Sequence, residues 1–166
     1  MRSDLALRRV LLVEDNESDA KLVQIFCPHF VSAGLEHAKD SDEAFDKLGQ
    51  AVHTRSLPSL ILLDLNIPGV GGLEILKYVK SEEGLRQIPI VVISSSQNPK
   101  EIFEVYAAGA SAFVPKRMTL IETESMLRAL DSVWSMHIAY APATEYRSEF
   151  ELERWQRNQS YDDRRR

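Results

Sequence analysis

Cysteine is nearly absent: Cys27 stands alone among 166 residues, which excludes an internal disulfide and a cysteine-built metal cage. It lies in an apolar helical stretch, where a small core-filling residue is expected. Seven glycines and seven prolines are too few for a collagen-like or low-complexity chain. A charged fraction of 27% with a mean hydropathy of -0.24 argues against general disorder. Long apolar runs are missing too, since Ser59–Leu63 and Ile88–Ile93 fall far short of the roughly 20 residues a membrane helix needs. Met1–Arg9 carries basic residues, but Val10–Val13 runs straight into Glu14 and Asp15, so secretion is not expected. A cytoplasmic protein without membrane contact is expected. There is no basic excess: a net charge of -5 and a pI near 5.4 offer nothing to a nucleic-acid backbone, and direct DNA binding is not expected. His29, His37, His53 and His137 have no spacing that suggests a triad or a zinc site. They read as surface or helix-end residues.

What is present is enough apolar material, 44% of the chain, for one core with an appendage. Short β-branched runs alternate with amphipathic stretches, the pattern of an α/β fold in which a parallel sheet is covered by helices on both faces. Val10–Val13 reads as the first buried strand. Asn16 to Asp19 can cap a helix carrying Ala20, Val23, Phe26, Cys27 and Phe30, with Pro28 marking or bending its last turn. Leu35–Lys39 is polar enough for a strand near an edge, and Ser41 opens a helix with Ala44, Phe45 and Leu48 inward. Leu60–Leu63, the most hydrophobic strand, should be central and ends at Asp64. A loop with Pro68, Gly69, Gly71 and Gly72 leads to a helix carrying Leu73, Leu76 and Val79. Ile90–Ile93 is the fourth strand, Pro99 suits the first turn of a helix carrying Ile102 and Val105, and Ala112–Val114 is a short fifth strand before a last helix from about Thr119 to His137.

That last helix is apolar on more than one stripe, because Leu120, Ile121, Met126, Leu127, Leu130, Val133, Trp134, Met136 and Ile138 cannot share one face of about 100°. Part of it is expected to meet a partner, the alternative being that the C-terminal tail folds back over the second stripe. From Pro142 the composition changes: Ala143–Arg166 holds six acidic and six basic residues with scattered aromatics. The expected organisation is an N-terminal extension over 1–8, one domain over 9–141, and a C-terminal arm over 142–166 without an output domain.

In an open parallel sheet, ligands sit outside the carboxyl ends of the strands where strand order reverses. Those ends carry Glu14 and Asp15, Asp64 with Asn66 two residues on, Ser94, and Lys116. Three carboxylates crowded together repel unless a cation neutralises them. Oxygen-only ligands favour Mg²⁺, which keeps waters and room for a substrate phosphate. The chemistry that follows is phosphoryl transfer, with Asp64 as candidate nucleophile and Lys116 and the ion neutralising transferring oxygens.

The segments Leu11–Asn16, Leu62–Pro68 leading into Gly71-Gly72-Leu73, Ile90–Ser95 and Ala108–Lys116 resemble the receiver domains of two-component response regulators. The resemblance covers Arg9 to about Ile138. It implies a doubly wound, five-stranded flavodoxin-like fold with strand order 2-1-3-4-5, and a signalling protein rather than an enzyme with an external substrate. By it, Asp64 accepts a phosphoryl group from a kinase histidine. Glu14 and Asp15 hold Mg²⁺ with Asp64 and the Asn66 carbonyl, Glu14 through water, and Lys116 pairs with the phosphoryl group. Ser94 is the switch hydroxyl, Phe113 the switch aromatic, and Asn66 and Ser96 tune self-dephosphorylation.

Two departures from the family pattern matter. Phe113 has no hydroxyl where tyrosine is common, so its readout must be steric. The family places proline after the lysine, with a cis bond between them, whereas here Arg117 follows Lys116 and Pro115 precedes it. A cis bond before a non-proline residue costs about 2.5–4 kcal/mol against about 0.5–1 for proline. A trans Lys116–Arg117 bond, in a shifted loop that still presents Lys116, is therefore expected. This departure, with Val133-Trp134 running into Ala139, Ala141 and Pro142, is similar to single-domain regulators that partner phytochrome-type histidine kinases. It implies a homodimer joined through the last helix, with Leu130, Val133 and Trp134 at the interface, and a downstream protein target.

Other functions fit less well. Aspartyl-phosphate hydrolases resemble chains whose nucleophile follows the first strand with a second acid two residues later, where this chain has Glu14-Asp15 and Asn66. A degenerate receiver acting only as a binding and dimerisation module conflicts with the complete acidic set, Ser94 and Lys116. A transcription factor needs a helix-turn-helix module, and the tail is too short for one.

Overall fold

The computed structural model describes residues 9–116 and 119–137. The extension expected at 1–8, the Lys116–Arg117 bond and the arm expected at 142–166 lie outside the described residues. Backbone contacts separate Met1–Met136 from His137–Arg166, and the elements below belong to the first unit except for the last residue of the final helix.

Five strands, β1 (Val10–Val13), β2 (Leu35–Ala38), β3 (Leu60–Leu63), β4 (Ile90–Ser94) and β5 (Ala112–Pro115), form one parallel sheet in the order β2-β1-β3-β4-β5. β3 is central, as its uninterrupted Leu-Ile-Leu-Leu run predicts. Every residue of β1, β3 and β4 is buried, while the edge strands β2 and β5 are mostly half-buried. Val10 pairs with Leu60 and Val13 with Leu63, so the carboxyl ends of β1 and β3 are level. The strands alternate with α1 (Glu17–Phe26), α2 (Pro28–Gly34), α3 (Ser41–His53), α4 (Gly72–Ser81), α5 (Pro99–Ala107) and α6 (Leu120–His137).

One expectation about the helices is corrected. The sequence predicts one helix bent at Pro28 after β1, but the chain forms two. Proline has no N–H and disfavours a helical conformation in the residue before it. Cys27 accordingly leaves the helix at φ -118° and ψ 67°, and Pro28 opens α2. Ser41 opens α3 as expected, as its first residue. Asp40 is the cap, its carboxylate accepting from the Glu43 N–H at 2.8 Å. The Ser41 side chain is fully buried and accepts instead from the Val70 N–H at 3.1 Å.

Asp131, buried on α6, caps α2 from across the fold. Its carboxylate accepts from the Phe30 N–H at 3.0 Å, the His29 N–H at 3.2 Å and the His29 ring Nδ1 at 2.7 Å. Thr119 and Glu122 form a capping box that starts α6: Glu122 accepts from the Thr119 N–H at 2.7 Å and donates its own N–H to Thr119 Oγ1 at 3.3 Å.

The inward face of α6 carries Leu127, Asp131 and Trp134, at the i, i+4, i+7 spacing of one stripe. Trp134, expected at a subunit interface, is buried within its own chain instead. Its indole N–H donates to Ser59 Oγ at 3.3 Å, and that hydroxyl donates to the Arg9 carbonyl at 3.0 Å. An indole supplies a large apolar body and one donor, and this site satisfies both. Leu130 is half-buried, and Val133 is exposed, as are Leu120 and Ile121 at the other end of the helix. Cys27 fills the core as expected, with its thiol 3.5 Å from the Leu127 carbonyl. Among the described residues no helix is long and apolar enough to cross a membrane.

Candidate functional site

The sheet ladder continues one residue past each strand and so fixes where the polar side chains start. The Glu14 N–H donates to the Ala38 carbonyl, the Asp64 N–H to that of Val13, and the Lys116 N–H to that of Ser94, all within 3.0 Å. Gly72 brings α4 against the same strand end, because a Cβ there would run into the Asp64 carbonyl. The preceding Gly71 takes φ +84°, a backbone that suits glycine. These contacts place Asp64 under the start of α4 and beside the end of β1.

The Lys116 ammonium donates to Glu14 Oε2 at 2.6 Å, Asp64 Oδ2 at 2.9 Å and Asp19 Oδ2 at 2.9 Å. The second oxygen of each buried acid is held by backbone: Asn16 N–H donates to Glu14 Oε1 at 3.1 Å and Asn66 N–H to Asp64 Oδ1 at 3.0 Å. Glu14 and Asp64 are almost fully buried, whereas Asp15 is exposed. Burial pushes the Glu14 carboxyl above the usual carboxylate range, and the nearby Asp64 charge adds to this while Lys116 opposes it. For Lys116, burial alone would favour the neutral amine. Hydrogen bonds to Glu14, Asp64 and Asp19 outweigh it and hold the ammonium well above its ordinary range.

Glu14, Asp15 and Asp64 each offer a carboxylate oxygen within 4.8 Å of the others. Three hard oxygen donors, with no nitrogen or sulfur among them, suit a hard divalent cation that retains water. The charged side chains of Glu14, Asp19, Asp64 and Lys116 line a cavity of about 290 Å³ whose remaining wall is largely apolar, including Leu22 and Val23 of α1 and Met126 and Leu127 of α6. A dianionic group on Asp64 would meet one ammonium there and, with a cation bound, a second positive charge.

Ser94 is fully buried at the end of β4, its Oγ accepting from the Ser96 N–H at 3.2 Å. Ser96 Oγ in turn accepts from the Asn98 N–H at 3.3 Å, and Asn66 Nδ2 reaches Ser95 Oγ at 3.4 Å. Phe113 is half-buried on β5. The hydroxyl that position 113 lacks is present on α5: Tyr106 Oη accepts from the Phe113 N–H at 3.1 Å.

Sequence reasoning misses two members of the site. Asp19 reads only as part of a helix start, although it stands four residues after Asp15. His37 reads as a surface residue, yet its Nε2 lies 2.7 Å from the Glu14 carbonyl. A carbonyl only accepts, so Nε2 carries the proton and the imidazole steadies the Glu14 turn.

The response regulator receiver domain family matches residues 10–128. The response regulator Rcp1 of Synechocystis is 31% identical over 128 residues, 75% of this chain and 87% of that protein. The two-component response regulator ARR16 of Arabidopsis thaliana is 35% identical over 127 residues, 70% and 76% of the two chains. Among solved structures, the phosphorylated cyanobacterial phytochrome response regulator RcpA is 32% identical with a TM-score of 0.74, over 81% of this chain and 98% of that one. The Mn²⁺-bound form of Rcp1 is 27% identical with a TM-score of 0.69, over 81% and 99%. The bacteriophytochrome response regulator AtBRR is 33% identical with a TM-score of 0.60, over 81% and 97%.

Proposed function

The chain belongs to the response regulator receiver domain family, and on that premise we propose that it accepts a phosphoryl group on Asp64 from the phosphohistidine of a sensor histidine kinase and signals through protein contacts. The observation that carries this is the Lys116 ammonium held 2.9 Å from Asp64 at the mouth of an all-oxygen carboxylate cluster. An Asp64 oxygen would attack phosphorus in line, forming an O–P bond as the N–P bond to the imidazole breaks; the imidazole leaves with the bonding electron pair and takes its proton from solvent. Lys116 would donate to a phosphoryl oxygen as charge builds there. Glu14, Asp15, Asp64 and the Asn66 carbonyl would hold Mg²⁺, which when bound supplies positive charge to the phosphoryl oxygens. That Rcp1 has an Mn²⁺-bound form supports a divalent ion in this chain as well.

Ser94 would turn toward the phosphoryl oxygen, and Phe113 would move behind it by packing alone. Asn66 and Ser96 would tune the approach of hydrolytic water. A phytochrome-type histidine kinase is the partner that the names of the relatives favour, and the setting we propose is the cytoplasm. A homodimer through α6 would use exposed Val133, Leu120 and Ile121 with half-buried Leu130; Trp134 would support that surface from within. We expect Ile121→Asp combined with Val133→Asp to shift a wild-type dimer to monomer in sedimentation velocity. A monomeric wild type at micromolar concentration would remove the dimer from this reading.

The decisive measurement is phosphotransfer. Incubated with Mg²⁺ and a small phosphodonor such as phosphoramidate, the wild type should gain one phosphoryl mass and Asp64→Asn none. Labelling that survives in Asp64→Asn, or a folded wild type that takes no label, refutes the assignment.

A further inference from the structure

An ammonium has three N–H donors, and all three on Lys116 are committed to carboxylates: Glu14, Asp19 and Asp64. A phosphoryl group arriving on Asp64 adds acceptors without adding a donor, so it competes with the existing partners for these N–H groups. The three differ in what release would cost them. The Glu14 and Asp64 side chains are 6% and 7% exposed, whereas Asp19 is 39% exposed. Water can replace a lost donor at Asp19 far more easily than at a buried carboxylate. Asp19 also lies outside the three-acid oxygen cluster that suits a cation.

Its position is nevertheless firmly set. The Asn16 side chain accepts from the Ser18 N–H at 2.9 Å and the Asp19 N–H at 3.2 Å, starting α1, while the Asn16 N–H is tied to Glu14. Asp19 is thus carried at a fixed distance from the acid turn, facing Lys116 across 97 residues of sequence.

Building on the phosphoacceptor reading above, we propose that Asp19 is a positioning residue that parks Lys116 in the unphosphorylated protein and competes with the phosphoryl group for its third hydrogen bond, setting how readily the site takes up and keeps that group. It acts through Lys116 and touches neither the cation nor the transferring atoms.

The test is a titration of the full chain with beryllium fluoride at saturating magnesium chloride, followed by the fluorine resonances of the bound species. Asp19→Asn and Asp19→Ala should bind on the order of three- to tenfold more tightly than wild type, the size of one partly solvated charge-assisted hydrogen bond. Glu17→Gln controls for charge alone: it removes one negative charge two residues away, from a side chain 80% exposed and paired with Lys39. It should stay within about twofold of wild type, because exposed charges act weakly at a distance. Equal or weaker binding by both Asp19 variants overturns the proposal, as does an equal gain from Glu17→Gln. A folded wild type that binds no beryllium fluoride at all refutes the phosphoacceptor reading itself, and this inference with it. Tight wild-type binding with unresponsive Asp19 variants refutes the inference alone.

Discussion

Cys27 has no exposed surface, and its burial, reinforced by the Asp131 carboxylate and opposed by Arg128, pushes the thiol from its ordinary 9.0 up to about 12. In the unfolded chain the thiol ionises near 9.0, while in the fold it stays protonated. Between those values the unfolded state therefore binds fewer protons and stability falls as pH rises, by at most about 1.4 kcal/mol per pH unit from this group. We expect Cys27→Ala to flatten the decline in denaturant midpoint between about pH 9 and 11; superimposable slopes for the two proteins would contradict this. The same scale explains which site residues could be read in advance. Glu14, Asp15, Asp64 and Lys116 each follow an apolar run at a strand end, so the break in pattern marks them. Asp19 and His37 belong to the site through partners that only the fold supplies, at sequence separations of 97 and 23.

Helices show where element-level reasoning holds and where it does not. The strands were legible because buried parallel strands are continuous apolar runs, and β1 and β3 start and end where those runs do. The break at Pro28 was ambiguous, since proline both bends helices and begins them. What decides it is the Asp131 carboxylate, about a hundred residues away, which accepts the two N–H groups at the start of α2. Asp131→Ala would leave the Phe30 N–H buried without a partner and the part-buried His29 N–H uncapped. We expect a loss of about 2–4 kcal/mol in chemical denaturation, with Asp131→Asn recovering part of it. A loss under about 0.5 kcal/mol, the size of an ordinary surface change, would show that the cap contributes nothing. Which face of α6 packs inward was hidden for a related reason: composition shows that a helix has two apolar stripes, but not which one its own chain covers. Trp134 lies on the covered one.

At the scale of the whole molecule, Glu14, Asp19 and Asp64 share one ammonium and Asp15 adds a fourth carboxylate beside Glu14 and Asp64, so the fold carries unbalanced negative charge at one end of its sheet. A divalent ion that binds only the folded state stabilises it by mass action, about 2.7 kcal/mol at a hundred times its Kd. We expect MgCl₂ to raise the thermal midpoint by several degrees beyond what NaCl of equal ionic strength achieves. Asp15→Asn should lose most of that gain, since Asp15 is exposed and its replacement disturbs no packing. A midpoint indifferent to MgCl₂, or an Asp15→Asn variant as responsive as wild type, would count against a cation at this cluster.

The indole of Trp134 is hydrogen-bonded to Ser59, at the amino end of the central strand, while Asp64 follows its carboxyl end. Roughly five residues of extended chain, about 16 Å, separate the two, too far for an ion or anion on Asp64 to touch the ring. With the chain's other tryptophan removed by Trp155→Phe, indole emission is therefore a built-in gauge of whether α6 stays seated. Any change in it on loading the acid cluster would register movement carried through the sheet or α6 and not contact quenching.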